Sequence, residues 1–288
     1  MSETSEELRK KIERATELES VVSTMKAVAG ANISKYEKAV LSLDEYYTTV
    51  ELGLFACFNQ QEKAGAVRSE TSYDNKFGAV VFGSDQGLVG QFNDILATFV
   101  GKTLRHFSGK KKIWAVGERV YTQMLDLGIP VTGYFEVPNS VGAITPLVGK
   151  ILSECETPLL YIFHNKPTTK AQYEPSRKRL LPLDARWVQE IMTTEWPTNR
   201  VPEVLRNHET TLKALIREYL FVSLFQICAE SMASENASRL AAMQRAEKNI
   251  NEMLEELNQS YNHLRQNTID NELFDLVGGF EALRKTRD

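Results

Sequence analysis

The segment Gly83-Ser84-Asp85-Gln86-Gly87-Leu88-Val89-Gly90-Gln91-Phe92-Asn93 holds this chain's best candidates for chemistry. Glycines beside a serine and an aspartate suit two tasks. One is a backbone cradle for phosphate, and the other is a hydroxyl nucleophile with a carboxylate base. The spacing supports neither. A dinucleotide fingerprint needs G-x-G-x-x-G and a P-loop needs G-x-x-x-x-G-K-[ST]. Here the glycines fall at 83, 87 and 90, with no Lys-Ser or Lys-Thr after them. No histidine lies in the segment to complete a triad with Ser84 and Asp85. The segment reads as a structural turn. Cys57, Cys155 and Cys228 and the four histidines are scattered, without metal-ligand spacing, so no metal or cofactor site is expected.

The elements around that turn alternate. Phe77–Phe82 is a short apolar run bounded by glycine, as a buried strand requires. A helix is expected over Asn93–Phe107, a strand over Lys112–Val116, a helix over Glu118–Leu127, and a strand within Val131–Val137. A helix over Gly142–Cys155 and a strand over Pro158–Phe163 follow. Such alternation implies βαβ units and a parallel sheet covered on both faces, with ligands taken at strand-to-helix turns.

The ends of the chain differ from its middle. From Glu203 onward there is no proline, and no glycine until Gly278-Gly279. Leu240, Met243, Ala246, Ile250, Met253, Leu257, Tyr261 and Leu264 recur every three or four residues, one apolar stripe near the heptad period. A helix from Glu203 to Val277 would run on the order of 110 Å, far beyond a domain of this mass. A matching stripe lies at the other end: Leu18, Val22, Met25, Ala29, Ile33, Tyr36, Val40, Leu43, Tyr47, Val50 and Leu54. Glu6 and Glu7 in its first turn suit the positive end of the helix dipole. The expectation is a long antiparallel coiled coil of the N- and C-terminal helices with an inserted Rossmann-like α/β domain. The boundaries are 1–58, 70–195 and 203–288, with linkers at Asn59–Asn75 and Thr193–Pro202.

Composition narrows the function classes. The chain has 288 residues, 42% hydrophobic, with net charge −4, so no general basic field draws it to nucleic acid. The basic runs Arg9-Lys10-Lys11, Lys110-Lys111-Lys112 and Arg177-Lys178-Arg179 read as solvated surface. The longest apolar run, near Leu220–Ala229, is too short to span a bilayer. The acidic N-terminus has no apolar signal core, so a soluble, intracellular chain is expected.

At the central turn and the C-terminal helix the chain resembles a family. Ser84–Asn93 resembles the S-D-R-G-L-C-G-G-F-N segment of the γ subunit of F-type ATP synthases. Ala233-Ser234-Glu235-Asn236-Ala237-Ser238-Arg239-Leu240-Ala241-Ala242-Met243 is similar to its A-S-E-x-A-A-R-M-x-A-M. Tyr261-Asn262 with Arg265-Gln266 matches Y-N-x-x-R-Q. Ile269, Glu272, Asp275 and Gly279 fit its terminal signature, and Met25–Ala29 resembles A-M-K-x-V-A. Departures at Gln86, Val89, Gln91, Ser23, Asn32, Asp270 and Phe280 mark a divergent branch. The alternative, often sodium-linked ATPases are one candidate for it.

The resemblance implies a non-catalytic rotor subunit that couples ion flow through the membrane sector to ATP synthesis or hydrolysis. It implies no cofactor. The implied partners are the alpha and beta subunits of the F1 ring, the epsilon subunit and the membrane c-ring, at the cytoplasmic face of the cell membrane. It places contacts with the catalytic subunits at Met25, Lys26, Arg265, Gln266 and Glu272. Two other classes stay open at this point, a coiled-coil scaffold and an α/β enzyme with helical dimerisation arms. Nucleotide bound by residues 70–195 alone would favour the enzyme.

Overall fold

The computed structural model describes residues 4–63, 76–107, 109–168, 173–193, 196–198, 200, 202 and 207–285. The chain divides into two compact units, Ala29–Arg239 and the pair of segments Met1–Val28 with Leu240–Asp288. Two helices contribute to both, α1 (Ser5–Lys63) and α6 (His208–Lys285).

The larger unit is built on a sheet. Its elements are β1 (Lys76–Phe82), α2 (Phe92–Leu104), β2 (Lys110–Val116), α3 (Glu118–Asp126), β3 (Gly133–Phe135), α4 (Ile144–Glu154), β4 (Leu159–Pro167), β5 (Tyr173–Leu181) and α5 (Ala185–Thr193). The strand order is β3-β2-β1-β4-β5, parallel except for β5, which runs antiparallel to β4. Side-chain alternation sorts each strand between two cores. Phe77, Ala79 and Val81 of β1 join Ile113, Ala115 and Phe163 under α2 and α3. Val80 and Phe82 join Trp114, Val116, Leu160 and Ile162 on the other face. There α4, α5, α1 and α6 cover the sheet through Ile144, Val188, Leu54 and Leu224.

Within this unit α1 and α6 run antiparallel, because residues that meet rise in number on one helix as they fall on the other. Asn32 reaches Asn236, Tyr46 donates to Glu218, Tyr47 lies against Tyr219, and His208 meets the Cys57 carbonyl. Gly53 does not break α1. A Cβ there would come 3.0 Å from Leu215, so this glycine sits where α6 comes close.

In the smaller unit the Lys26 ammonium lies 2.6 Å from both Glu247 oxygens. Thr4 and Glu7 form a capping box at the start of α1: each backbone N–H donates to the other's side chain. Buried Leu8 and Ala15 and half-buried Ile12 extend the apolar stripe to the helix start. Two stripe residues fall outside it. Leu18 is 57% exposed and Met253 50%, while half-buried Leu254 takes the inward position.

Other differences are local. Helix α1 runs to Lys63, so the polar stretch from Asn59 begins as helix, and 64–75 lie outside the described residues. Helix α6 is described from His208, and 203–206 likewise lie outside. The sequence reading did not contain β5 or α5. Pro175 and the basic run 177–179 make β5 look like a loop, yet proline is tolerated on an edge strand. Nor is that run simply solvated. Lys178 is half-buried, and burial lowers its ammonium pKa.

Candidate functional site

The turn after β1 is held from three sides. Ser84 is fully buried. Its N–H donates to Asn93 Oδ1, its hydroxyl donates to the Gln86 carbonyl, and Asn93 Nδ2 donates back to that hydroxyl. Asp85 reaches across the sheet edge. Its carboxylate accepts from the backbone N–H groups of Glu118 and Val137, both at 2.9 Å, and from the Tyr134 hydroxyl at 3.1 Å. Burial and the Asp85 charge push Tyr134 up to about 12.

The first of those bonds has a backbone origin. Helix α3 begins after Gly117, whose φ of +115° suits glycine and whose added Cβ would lie 2.7 Å from the Ser84 carbonyl oxygen. A residue without a side chain cannot cap the helix, and Asp85 caps it from the neighbouring loop. Both candidates for catalysis are thereby occupied. The Ser84 hydroxyl meets an amide and a carbonyl rather than a base, and the Asp85 oxygens meet donors that fix the loop. The turn's tip carries exposed Leu88 at φ +62° and Gly90 at φ +57°.

Sheets of this topology take ligands beyond the strand C-termini, where the order reverses. Here that point lies between β1 and β4, and α6 occupies it. Ser231 Oγ donates to the Phe82 carbonyl at the end of β1, and Ser238 Oγ to the Val89 carbonyl at 2.6 Å. At the end of β4, His164 Nε2 lies 3.1 Å from Glu230, and Asn165 Nδ2 donates to the Phe92 carbonyl. Burial raises the Glu230 carboxyl, but the hydrogen bond and charge of His164, with Lys166 and Gln226, bring it below its ordinary value. Buried Glu235 pairs with Arg239 at 2.9 Å, and burial holds its pKa above the usual range despite that partner. The two segments that carried the resemblance, 84–93 and 233–243, thus meet in space. A helix fills the crevice that a nucleotide would need.

The proposed contact residues sit elsewhere. Met25 is half-buried, and Lys26 is engaged by Glu247. Arg265, Gln266 and Glu272 lie together along exposed α6, with Arg265 in none of the ion pairs among the described residues. Beside them the structure shows what the stripe reading left out. Ile269, Leu273, Leu276 and Val277 are exposed at helical spacing, and Phe274 is 73% exposed. Leu18, Val21 and Val28 likewise leave α1 uncovered on its outer side. The signal was present in the sequence as a run of apolar residues past Leu264. Among the described residues no group of His, Cys, Asp or Glu is placed to hold a metal ion. Among them also no helix is long and apolar enough to cross a membrane.

A model of the ATP synthase family matches residues 4–283. The chain belongs to that family. Its curated relatives are ATP synthase gamma chains, so it is an F-type γ chain, as its motifs resembled. The gamma chain of Clostridium acetobutylicum is 24% identical over 283 residues, covering 96% of this chain and 97% of that one. The gamma chain of Nautilia profundicola is 26% identical over 299 residues, covering 98% and 99%. Among solved structures, a chain of the Euglena gracilis mitochondrial ATP synthase (OSCP/F1/c-ring, rotational state 3) aligns with TM-score 0.61 at 16% identity, covering 98% of this chain and 95% of that one. A chain of the Tetrahymena thermophila mitochondrial ATP synthase central stalk/c-ring aligns with TM-score 0.60 at 18% identity, covering 78% and 99%. At such identities the structures support the fold of this ATP synthase family member. The curated γ chains carry the likeness of function.

Proposed function

We propose that this γ chain is the central-stalk rotor of an F-type ATP synthase. It couples ion flow through a membrane c-ring to ATP synthesis or hydrolysis in a ring of alpha and beta subunits. The observation that carries this is the family match over residues 4–283, which spans both terminal helices and the sheet between them. The relatives found in rotor and F1/c-ring assemblies support the same partners. The chain itself performs no catalysis. Ser84 and Asp85 are engaged in holding the turn, and α6 occupies the crevice of the sheet.

Coupling then comes from shape and surface. Two helices that expose different residues on different sides present unequal faces to otherwise equivalent catalytic sites. Each site is biased toward a different conformation only by that difference in contact free energy. Apolar residues at the exposed end of α6 favour cover by the ring, each worth about 1.5–3 kcal/mol when fully buried. Arg265 and Gln266 serve as polar contacts, with the guanidinium fork matching a carboxylate on a catalytic subunit. Glu272, Met25 and Lys26 complete the proposed contact set. The sheet unit sits on the c-ring side with the epsilon subunit, and the complex lies peripherally at the cytoplasmic face of the membrane.

Purifying the chain from its native membrane tests the assembly. Nucleotide-binding subunits should co-elute in fixed ratio, and a chain recovered alone or as a homodimer favours the scaffold instead. Arg265→Ala in the reconstituted complex should lower ATP turnover while the chain stays folded. Unchanged turnover and ion pumping would remove Arg265 from the contact set.

A further inference from the structure

At the N-terminal edge of the sheet, opposite the crevice that α6 fills, the structure holds a cleft of about 370 Å³. Its floor is apolar, with Leu104 from α2, Ile113 from β2 and Ile129 from the turn into β3, all buried. Lys102, Arg105 and Lys111 also line it. Lys110 and Lys112 stand beside Lys111 on the strand, so five cations gather on one edge of a chain whose net charge is −4.

Helix ends account for part of this. Helices α2 and α3 finish near the cleft, at Leu104 and Asp126, and a cation suits each C-terminus. Lys111 does that work for α2, since its ammonium donates to the Leu104 carbonyl at 2.7 Å. It keeps further donors to offer. Lys102 and Arg105 are exposed, and among the described residues neither takes part in an ion pair or a side-chain hydrogen bond. Both sit at the C-terminal end of α2, where their charge suits the helix dipole, but no side-chain partner among the described residues occupies them.

We propose that this cleft binds a phosphate ester carried on a small apolar body. Lys102, Arg105 and Lys111 hold the anion, and the body lies on Leu104, Ile113 and Ile129. The volume falls within the usual range for small-ligand sites. An arginine and two lysines around one phosphate give the charge-assisted bonds such an anion recognises. Gly101 keeps the wall low, since a Cβ there would come 3.3 Å from Ile129. The site is independent of the rotor assignment and shares no residue with the contact set proposed for the catalytic subunits.

Two sources share this chemistry, a free phosphorylated metabolite and a phospholipid headgroup. The full chain is titrated with octyl phosphate by calorimetry and sedimented with vesicles of phosphatidylglycerol in phosphatidylcholine. Binding of octyl phosphate alone assigns the free ligand, and binding of vesicles alone assigns the headgroup. In either arm Lys102→Glu with Arg105→Glu should weaken binding by about tenfold or more, as loss of two charge-assisted contacts predicts. The neutral pair Lys102→Gln with Arg105→Gln should fall between. Arg9→Glu with Lys10→Glu, at a basic run far along the sequence, should leave binding unchanged. The proposal is overturned if neither probe binds, if the cleft variants bind like the parent, or if the Arg9 and Lys10 variant loses as much.

Discussion

Replacing Asp85 by alanine separates a structural turn from a catalytic one, because the two roles predict opposite results. As a base, Asp85 would be dispensable for folding and essential for turnover. As a brace, it accepts three hydrogen bonds that join the β1 turn to the start of α3 and the exit of β3. The bond from Val137 N–H is partly buried, so its loss is set at about 1.5–3 kcal/mol, as for a bond to a charged group. The bonds from Glu118 and Tyr134 are exposed and water replaces them in part, leaving about 0.5–1 kcal/mol together. The sum is roughly 2–4 kcal/mol, a fall in Tm of about 5–15 °C by the scaling for domains of this size. Thermal unfolding of the purified chain by circular dichroism measures it. Asp85→Asn keeps one acceptor oxygen and should recover about half. A loss under about 0.5 kcal/mol in Asp85→Ala, within the range of ordinary surface changes, would refute the brace. ATP binding in the parent that vanishes in the variant would do the same.

Other expectations follow from single contacts. A double-mutant cycle on Lys26→Ala and Glu247→Ala should give a coupling of about 0.5–1.5 kcal/mol in chemical denaturation, falling with salt because both groups keep some exposure. Glu230 has its folded pKa lowered, so its contribution to stability is present above its unfolded pKa and is lost as pH falls through the folded value. The slope of Tm against pH below about 4.5 should therefore flatten in Glu230→Gln. Gly117→Ala adds a Cβ 2.7 Å from Ser84 at a strained φ, and should lower Tm more than Gly142→Ala, where nothing lies within 4 Å. Leu273→Glu with Phe274→Glu should leave the isolated chain's Tm unchanged, since both side chains are exposed, but weaken its incorporation into the assembled complex.

Much of this architecture was legible because apolar spacing and burial obey the same geometry. The stripe from Val22 to Leu54 turns inward as its three-and-four spacing demands. The errors fall where two neighbours satisfy the spacing equally. Met253 and Leu254 both continue from Ile250, and only the folded structure decides between them, leaving Leu254 half-buried and Met253 exposed. Leu18 lies off a line that runs through Ala15 and Val22, with half-buried Glu19 between them. Strand β5 escaped because an edge strand needs neither strong alternation nor a run without proline. At the site, motif resemblance located segments 84–93 and 233–243, but periodicity carried no sign that they meet. Ser231 and Ser238 look like ordinary polar positions of a helix until the carbonyls they satisfy are seen.

Those two serines also set a schedule. Each bonds a carbonyl 149 residues earlier in the chain. At the ribosome, which adds about 5–20 residues per second, roughly 7–30 s separate the emergence of the β1 edge from that of the helix that closes it. Over that interval the sheet gains its strands and crossovers but keeps an open upper rim. Its completion waits for α6, so a nascent chain stopped before Ser231 is a platform without its closing helix.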